Sequence, residues 1–180
     1  FKPGMSVGVF GAGPIGLFLI RTLRALGAER IIASDVKPHR VAAALESGAD
    51  EAWLADEDGV PAGIRDVPTV DVTYEVAGED GALLTAMITA KRGGRVTVVG
   101  IPPSNQHSFP AGEVRRKGLT VAWSRRMKAI HMLRAIELVD HGVVSLEGMI
   151  TATYPLAEGA KAFDDLVARN GLKIVVKPTA

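Results

Sequence analysis

The sequence predicts an α/β fold with a doubly wound parallel sheet, and three observations carry that prediction. Short apolar segments at 6–10, 30–34, 70–76 and 95–99 read as strands covered on both faces. Segments at 14–26, 38–47 and 80–90 alternate with them and carry apolar residues at helical spacing. Glycine stands where the chain must turn, at Gly11, Gly27, Gly48, Gly78 and Gly100.

The elements follow in order. Ser6–Phe10 is a buried strand closed by Gly11. Helix Pro14–Leu26 places Ile15, Phe18, Leu19, Leu23 and Leu26 on one face, and Pro14 suits the first turn, where its missing N–H costs nothing. Strand Arg30–Ser34 leads to Asp35; helix Pro38–Ser47 stops at Gly48; Glu51–Leu54 is a short third strand. Ala55–Thr69, acidic and rich in Pro and Gly, reads as loop. Strand Val70–Val76 ends at Gly78, and helix Asp80–Ala90 is expected to break at Gly93-Gly94 before strand Arg95–Val99. After the loop Pro102–Asn105 come strand Leu119–Trp123 and helix Met127–Asp140. Strand Thr151–Tyr154, helix Leu156–Arg169 and strand Lys173–Lys177 form a short C-terminal strand–helix–strand appendage. The expected division is a main domain over 1–145 and a tail over 146–180.

A chain of 180 residues, 47% hydrophobic, suits one domain with a small addition. Lys and Arg total 21 against 20 for Asp and Glu, so there is no electrostatic footprint for nucleic acid or an anionic membrane. With no cysteine, disulfides and thiolate metal sites are excluded, and a reducing cytoplasm is the expected location. No apolar run is long enough to span a bilayer. Phe1-Lys2-Pro3-Gly4 enters the first strand without an initiator Met, which reads as a piece of a longer protein.

The chemistry concentrates at strand ends. Gly11-Ala12-Gly13-Pro14-Ile15-Gly16 fits G-x-G-x-x-G between a strand and a helix, the setting of the dinucleotide-binding Rossmann fold. Gly11 permits the tight turn, Gly13 lets backbone approach a pyrophosphate, and Gly16 lets helix and strand pack closely. The helix N-terminus offers N–H groups and a partial positive charge to phosphate. The competing explanation is a glycine-rich structural turn. Asp35, nineteen positions after Gly16, can accept bonds from adenosine ribose hydroxyls and would repel a 2′-phosphate, so NAD is expected over NADP. Lys37, His39 and Arg40 keep NADP as the alternative, and Asp35 could also be a helix N-cap.

The four histidines, 39, 107, 131 and 141, lack metal-ligand spacing, so no metal site is expected in this chain. His131 and His141 read as decoration of a helix and its end, and Glu75 as structural. Arg115-Arg116-Lys117 and Arg125-Arg126 read as solvated faces, although the second run follows a strand end and one arginine there could reach a ligand. No nucleophile or acid–base pair stands out, so no catalytic residue is assigned.

Taken together, these residues resemble the coenzyme-binding domain of the zinc-dependent medium-chain dehydrogenases, and within them the polyol dehydrogenases such as sorbitol and xylitol dehydrogenase. The resemblance covers essentially the whole chain. It rests on K-P-G-x-S-V-x-V-F-G-A-G-P-I-G, S-D-x-x-x-x-R (34–40), D-V-T-Y-E-V-A-G (71–78), G-G-R-V-T-V-V-G-I-P (93–102), R-R-K-G-L-T (115–120), Y-P-L-A-E-G-A-K-A-F (154–163) and G-L-K-I-V-V-K-P (171–178). It implies that Gly11, Gly13, Pro14, Ile15 and Gly16 meet the pyrophosphate. Asp35 and Arg40 would hold the adenosine ribose, and Val76 and Ala77 would line the groove. Val99, Gly100 and Ile101 would present backbone to the nicotinamide. Arg125 would approach the cofactor and Arg126 the substrate, with the choice between the two left open by the local sequence. The implied activity is hydride transfer from a secondary alcohol to NAD, with threonine or simple alcohol dehydrogenase as alternatives and a non-catalytic NAD-sensing module as the rival. Zinc would come from a Cys/His/Glu-bearing domain absent here, and the tail would pack toward it. A small-molecule substrate and a homo-oligomer are expected, without nucleic acid or membrane. A helix common in the family between the third and fourth strands is expected to be missing.

Overall fold

A computed structural model describes residues 1–178, and two compact units divide the chain after Val144. The first unit is built on six parallel strands in the order β3-β2-β1-β4-β5-β6. They are β1 (Ser6–Phe10), β2 (Arg30–Asp35), β3 (Glu51–Leu54), β4 (Val70–Glu75), β5 (Ala90–Val98) and β6 (Thr120–Trp123). The helices α1 (Pro14–Ala25), α2 (Pro38–Glu46), α3 (Asp80–Thr89) and α4 (Ala111–Lys117) connect successive strands, and α5 (Ala129–Asp140) follows β6. Strand order runs outward in both directions from the β1–β4 pair. Right-handed crossovers therefore put α1 and α2 on one face and α3 and α4 on the other. This is the doubly wound architecture the sequence predicts.

Burial explains the central strands. Val7, Val9 and Phe10 of β1 and Ile31, Ile32 and Ala33 of β2 are fully buried. On the α3 face, Phe10, Ile32, Val70, Leu83, Met87 and Val96 belong to one cluster. Helix α3 is buried on nearly every side: even Thr85 and Thr89 are inaccessible, Thr89 donating its hydroxyl to Thr85 O at 2.8 Å and Thr85 to Gly59 O at 3.4 Å. An apolar-all-round helix is one that must lie in a core.

Two elements depart from expectation. The chain passes from α3 into β5 at Ala90, so Gly93-Gly94 lie inside a strand whose pairing with β4 shifts between Val70↔Ala90 and Val72↔Arg95. An irregularity in the pairing, with 91–94 facing only Asp71, takes in the glycines where a break was expected. Helix α4 covers a segment read only as a charged run. There Lys117 donates from Nζ to the carbonyls of Met87 (3.0 Å), Ala90 (3.1 Å) and Ile88, closing the C-terminus of α3. Between β3 and β4 only a short 3-10 turn, Ile64–Asp66, interrupts the loop.

The second unit pairs β7 (Ile150–Pro155) in parallel with β8 (Lys173–Lys177) through α6 (Gly159–Val167). Inside it Tyr154 donates its hydroxyl to Asp165, which also accepts from Asn170 at 3.1 Å. No helix among the described residues is long and apolar enough to cross a membrane.

Replacing Lys117 with Met should leave the last carbonyls of α3 without their shared donor. The expected cost is about 2 kcal/mol, or roughly 4–8 °C in Tm for a chain of this size. A melt followed by circular dichroism checks it, and an unmoved Tm would remove Lys117 from the determinants of the core.

Candidate functional site

The site lies where the strands end at their carboxyl termini, around the β1–β4 switch in winding direction. Gly11 leaves β1 with φ at +106°, its N–H donating to Ser34 O at 2.9 Å. A Cβ on Gly11 would stand 2.7 Å from Ala77 N, and one on Gly16 only 1.9 Å from Gly11 O. These two glycines are demanded by the protein's own packing. Gly13 differs: its φ is an ordinary −70°, and a Cβ there would meet nothing closer than Arg40 Nη1, at 3.7 Å. The space in front of Gly13 is open. Gly13 also caps α1 through its backbone alone, with Pro14 next and no acidic residue in the first turn. The helix thus presents its N-terminal amides outward without a side chain to cover them, a ready anion site. Ile15 is 64% exposed beside them.

Asp35 closes the β2 end of the crevice. Its Oδ2 accepts from Ala12 N at 2.8 Å and its Oδ1 from Lys37 N at 3.0 Å, while Arg40 Nη1 lies 3.9 Å from Oδ2. Lys37 rather than Asp35 is the N-cap of α2, so the capping role weighed for Asp35 takes another form: its side chain holds the N–H of the capping residue.

Across the switch, Val76 N donates to Phe10 O at 2.8 Å, joining the β4 loop to β1. Val76 is half-buried and Ala77 exposed. Glu75, fully buried, shapes this loop by accepting from Ala77 N (2.7 Å) and Gly78 N (2.6 Å) at Oε1. Burial pushes its carboxyl above the usual range, against the pull of those N–H groups and of His107. Beyond it, a cavity of about 460 Å³ opens at the ends of β5 and β6, with Val99, Gly100, Ile101, His107, Trp123 and Ser124 among its walls.

The structure therefore gathers Gly11, Gly13, Pro14, Ile15, Gly16, Asp35 and Arg40 at one end of the crevice, and Val99, Gly100 and Ile101 at the other. Arg125 and Arg126 are exposed residues one and two past Ser124, Arg126 with a left-handed φ of +52°, and neither forms a wall of the cavity. His131 lies in α5 and His141 caps its end. Sequence reasoning missed His107 and Trp123. Trp123, a large aromatic closing a strand, carried a usable signal; His107, inside an irregular loop, carried none. Among the described residues no three His, Asp or Glu side chains converge on a point that would hold a metal, so zinc does not fit this chain.

Comparison with known proteins gives the same reading as the motifs. A family model described as zinc-binding dehydrogenase matches residues 14–141. The chain is 28% identical to sorbitol dehydrogenase of Bacillus subtilis (strain 168), over 98% of its own length and 51% of that protein. It is 31% identical to L-threonine 3-dehydrogenase of Bacillus velezensis (strain DSM 23117 / BGSC 10A6 / LMG 26770 / FZB42), over 97% and 52%. A solved structure from Sinorhizobium meliloti 1021, bound to NADP, superposes with a TM-score of 0.83 at 27% identity, covering 98% of this chain and 53% of that one. The chain spans about half the length of the curated relatives it matches.

The contrast among the glycines is testable. Gly13→Val should fold with a near-native melt and lose dinucleotide binding, because its side chain enters only the ligand's space. Gly16→Val should unfold or destabilise the domain, because Gly11 O already occupies that space. Calorimetric titration with NADH beside a thermal melt checks both; a folded Gly13→Val variant with unchanged affinity would remove the pyrophosphate assignment.

Proposed function

The chain belongs to the zinc-binding dehydrogenases, and from that premise we propose that it is the coenzyme-binding half of an oxidoreductase that moves hydride from a secondary alcohol to NAD. The open space before Gly13, in a turn whose other glycines the fold itself requires, carries this reading. A cradle that a Cβ would fill, at the bare N-terminus of a helix, has the shape and polarity for a pyrophosphate.

The residues then take roles along the crevice. The amides of Gly13, Pro14's neighbour Ile15 and Gly16 face the phosphates, and Arg40 adds a cation beside them. Asp35 accepts from the adenosine ribose. Val76 and Ala77 form the floor, and the backbone of Val99, Gly100 and Ile101 meets the nicotinamide half. Arg125 would reach the cofactor and Arg126 the substrate from beyond Ser124. When bound, the nicotinamide ring supplies the hydride chemistry. The chain's own share is to hold the ring in line with the alcohol carbon and keep water from that face. Exposed apolar walls at Ile101 and Trp123 suit that task.

NAD rather than NADP is proposed from the fixed charge of Asp35, although the Sinorhizobium meliloti relative holds NADP. The substrate class is a polyol or related hydroxy compound, supported by similarity to a sorbitol dehydrogenase, with threonine as the second reading on the similarity to L-threonine 3-dehydrogenase. Zinc would be bound outside these residues. Exposed Ile130, Met132, Leu133 and Ile136 on α5 support a surface covered in the assembled protein, including a homo-oligomer. The cysteine-free composition supports a reducing cytoplasm.

Two outcomes test the proposal. Wild type should bind NADH at least about tenfold more tightly than NADPH, a difference of roughly 1.4 kcal/mol, and Asp35→Ser should narrow or reverse the gap; equal affinities in the wild type would overturn the assignment to NAD. The chain alone should bind NADH yet fail to oxidise sorbitol, xylitol or threonine and hold no stoichiometric zinc. Turnover or stoichiometric zinc in the 180 residues would show that the catalytic group has been misplaced.

A further inference from the structure

The loop that follows β5 runs to Pro110, the N-cap of α4. It supplies half of the cavity wall at the ends of β5 and β6, through Ile101, Pro102, Asn105, His107 and Phe109. The loop is fixed at each end. At its start a Cβ on Gly100 would stand 2.1 Å from Gly78 N, so the chain there lies against the loop after β4. At its finish Phe109 packs against the core cluster that contains Leu83 and Met87 of α3. Between these points the loop bonds mostly to itself. Asn105 N donates to Pro102 O at 3.0 Å, and Ser104 Oγ donates to Gln106 O at 3.0 Å and accepts from Gln106 N at 3.3 Å.

One side chain from another element grips this stretch. Asp80, the first residue of α3, accepts at Oδ1 from Ser108 N at 3.0 Å, and the same oxygen lies 3.1 Å from Nδ1 of His107. The bond from Ser108 and the contact with His107 hold the Asp80 carboxyl below the usual carboxylate range. Asp80 is therefore an anion at neutral pH, and an anion can only accept, so Nδ1 is the donor. The side chain of His107 is 5% exposed, and its Nε2 has no hydrogen-bond partner. The orientation of the imidazole thus depends on the bond to Asp80, in a place too buried for bulk water to replace it. Asp80 itself is not one of the cavity walls, so it acts on the cavity only through the two residues it holds.

We propose that Asp80 is a positioning residue for the nicotinamide half of the site: by holding His107 and Ser108 it keeps the 101–109 loop in place as a preformed wall of the cavity. A wall that stands before the ligand arrives does not have to be ordered by it, so less of the contact energy is lost on binding. Without Asp80 the loop keeps its internal turn and its two ends, but the middle of the wall loses its tie to α3. The effect is confined to the ring end of the ligand, because Asp35 and the Gly11–Gly16 turn bind no part of this loop. The proposal rests on the dinucleotide reading for its ligand, and the experiment separates the two.

Asp80→Ala removes both bonds and should weaken NADH by about tenfold. ADP-ribose, which lacks the nicotinamide, should stay within about twofold of its wild-type affinity, which also shows that the variant is folded. Asp80→Asn keeps a carbonyl acceptor for both donors and should hold NADH within about threefold of wild type. Glu79→Gln removes a negative charge from the same helix start but neither bond, and should bind NADH like the wild type. Amide hydrogen exchange reads the contact without a ligand: Ser108 N–H should be protected in the wild type and in Asp80→Asn, and exchange at least about tenfold faster in Asp80→Ala. NADH affinity unmoved in Asp80→Ala, an equal loss of ADP-ribose, or an Asp80→Asn or Glu79→Gln variant as impaired as Asp80→Ala would overturn the role given to Asp80. A Ser108 amide that exchanges freely in the wild type would overturn the grip itself. Failure of the wild type to bind either ADP-ribose or NADH would overturn the dinucleotide reading instead, with the exchange of Ser108 still reporting whether Asp80 holds the loop.

Discussion

The carbonyl oxygen of Gly11 lies 1.9 Å from where a Cβ on Gly16 would stand, and the ligand end of the sheet is arranged around that approach. It fixes the first turn of α1 against the end of β1, which aims the helix N-terminus at the crevice. It forces the turn through a left-handed Gly11, whose own missing Cβ lets Ala77 N approach from β4. It also turns Ala12 N inward, where only a buried acceptor can satisfy it, and Asp35 supplies that acceptor at 2.8 Å. One close contact thus constrains residues on β1, α1, β2 and β4 together.

The opposite half of the unit is organised by apolar burial. Helix α3 has no solvent face of any width, and its last carbonyls are closed by a lysine reaching across from α4. Asp80 at the first position of α3 accepts from Ser108 N at 3.0 Å and so ties the segment after β5 to this helix. The polar chemistry at the strand ends is therefore supported by a core with which it shares almost no side chains. Glu75 is the exception, a carboxyl seated at the junction of the two halves.

The strands, the glycine turn and the position of Asp35 at the end of β2 were legible because each follows from local sequence pattern. Hydrophobic runs announce parallel strands, and the spacing from Gly11 to Gly16 announces the turn. The start of β5 was not legible, since Gly93-Gly94 signal a break unless a long-range partner tolerates an irregular register, and that partner is β4. Helix α4 was hidden by Arg115-Arg116-Lys117, a run that looks solvated until Lys117 is seen to cap another helix. Glu75 and His107 lie 32 positions apart and acquire meaning only from burial. Nothing in the residues around His107 distinguishes it from a loop histidine; its environment comes from Asp80 at the start of α3 and from the cavity walls at the ends of β5 and β6.

At the end of β2 a carboxylate and a guanidinium stand side by side, held in different ways. Asp35 is buried, and both its oxygens are pinned by backbone amides at 2.8 and 3.0 Å, so its negative charge cannot swing away from an incoming ligand. Arg40 extends from α2 on a long side chain and lies 3.9 Å from the same carboxylate. Two like charges about 4 Å apart near a protein surface cost on the order of 4 kcal/mol, and an opposite charge at that distance returns a similar amount. An added 2′-phosphate would meet the carboxylate wherever the ribose sits, but would meet the guanidinium only if Arg40 gave up its present place beside Asp35. The unavoidable term is repulsive and the attractive one requires rearrangement. A ribose hydroxyl faces the opposite balance, because each carboxylate oxygen has a lone pair beyond the one its backbone amide occupies. On the proposed dinucleotide reading, the bond from Ala12 N, itself a consequence of the Gly11–Gly16 approach, is what would make a carboxylate at the end of β2 discriminate between the two coenzymes.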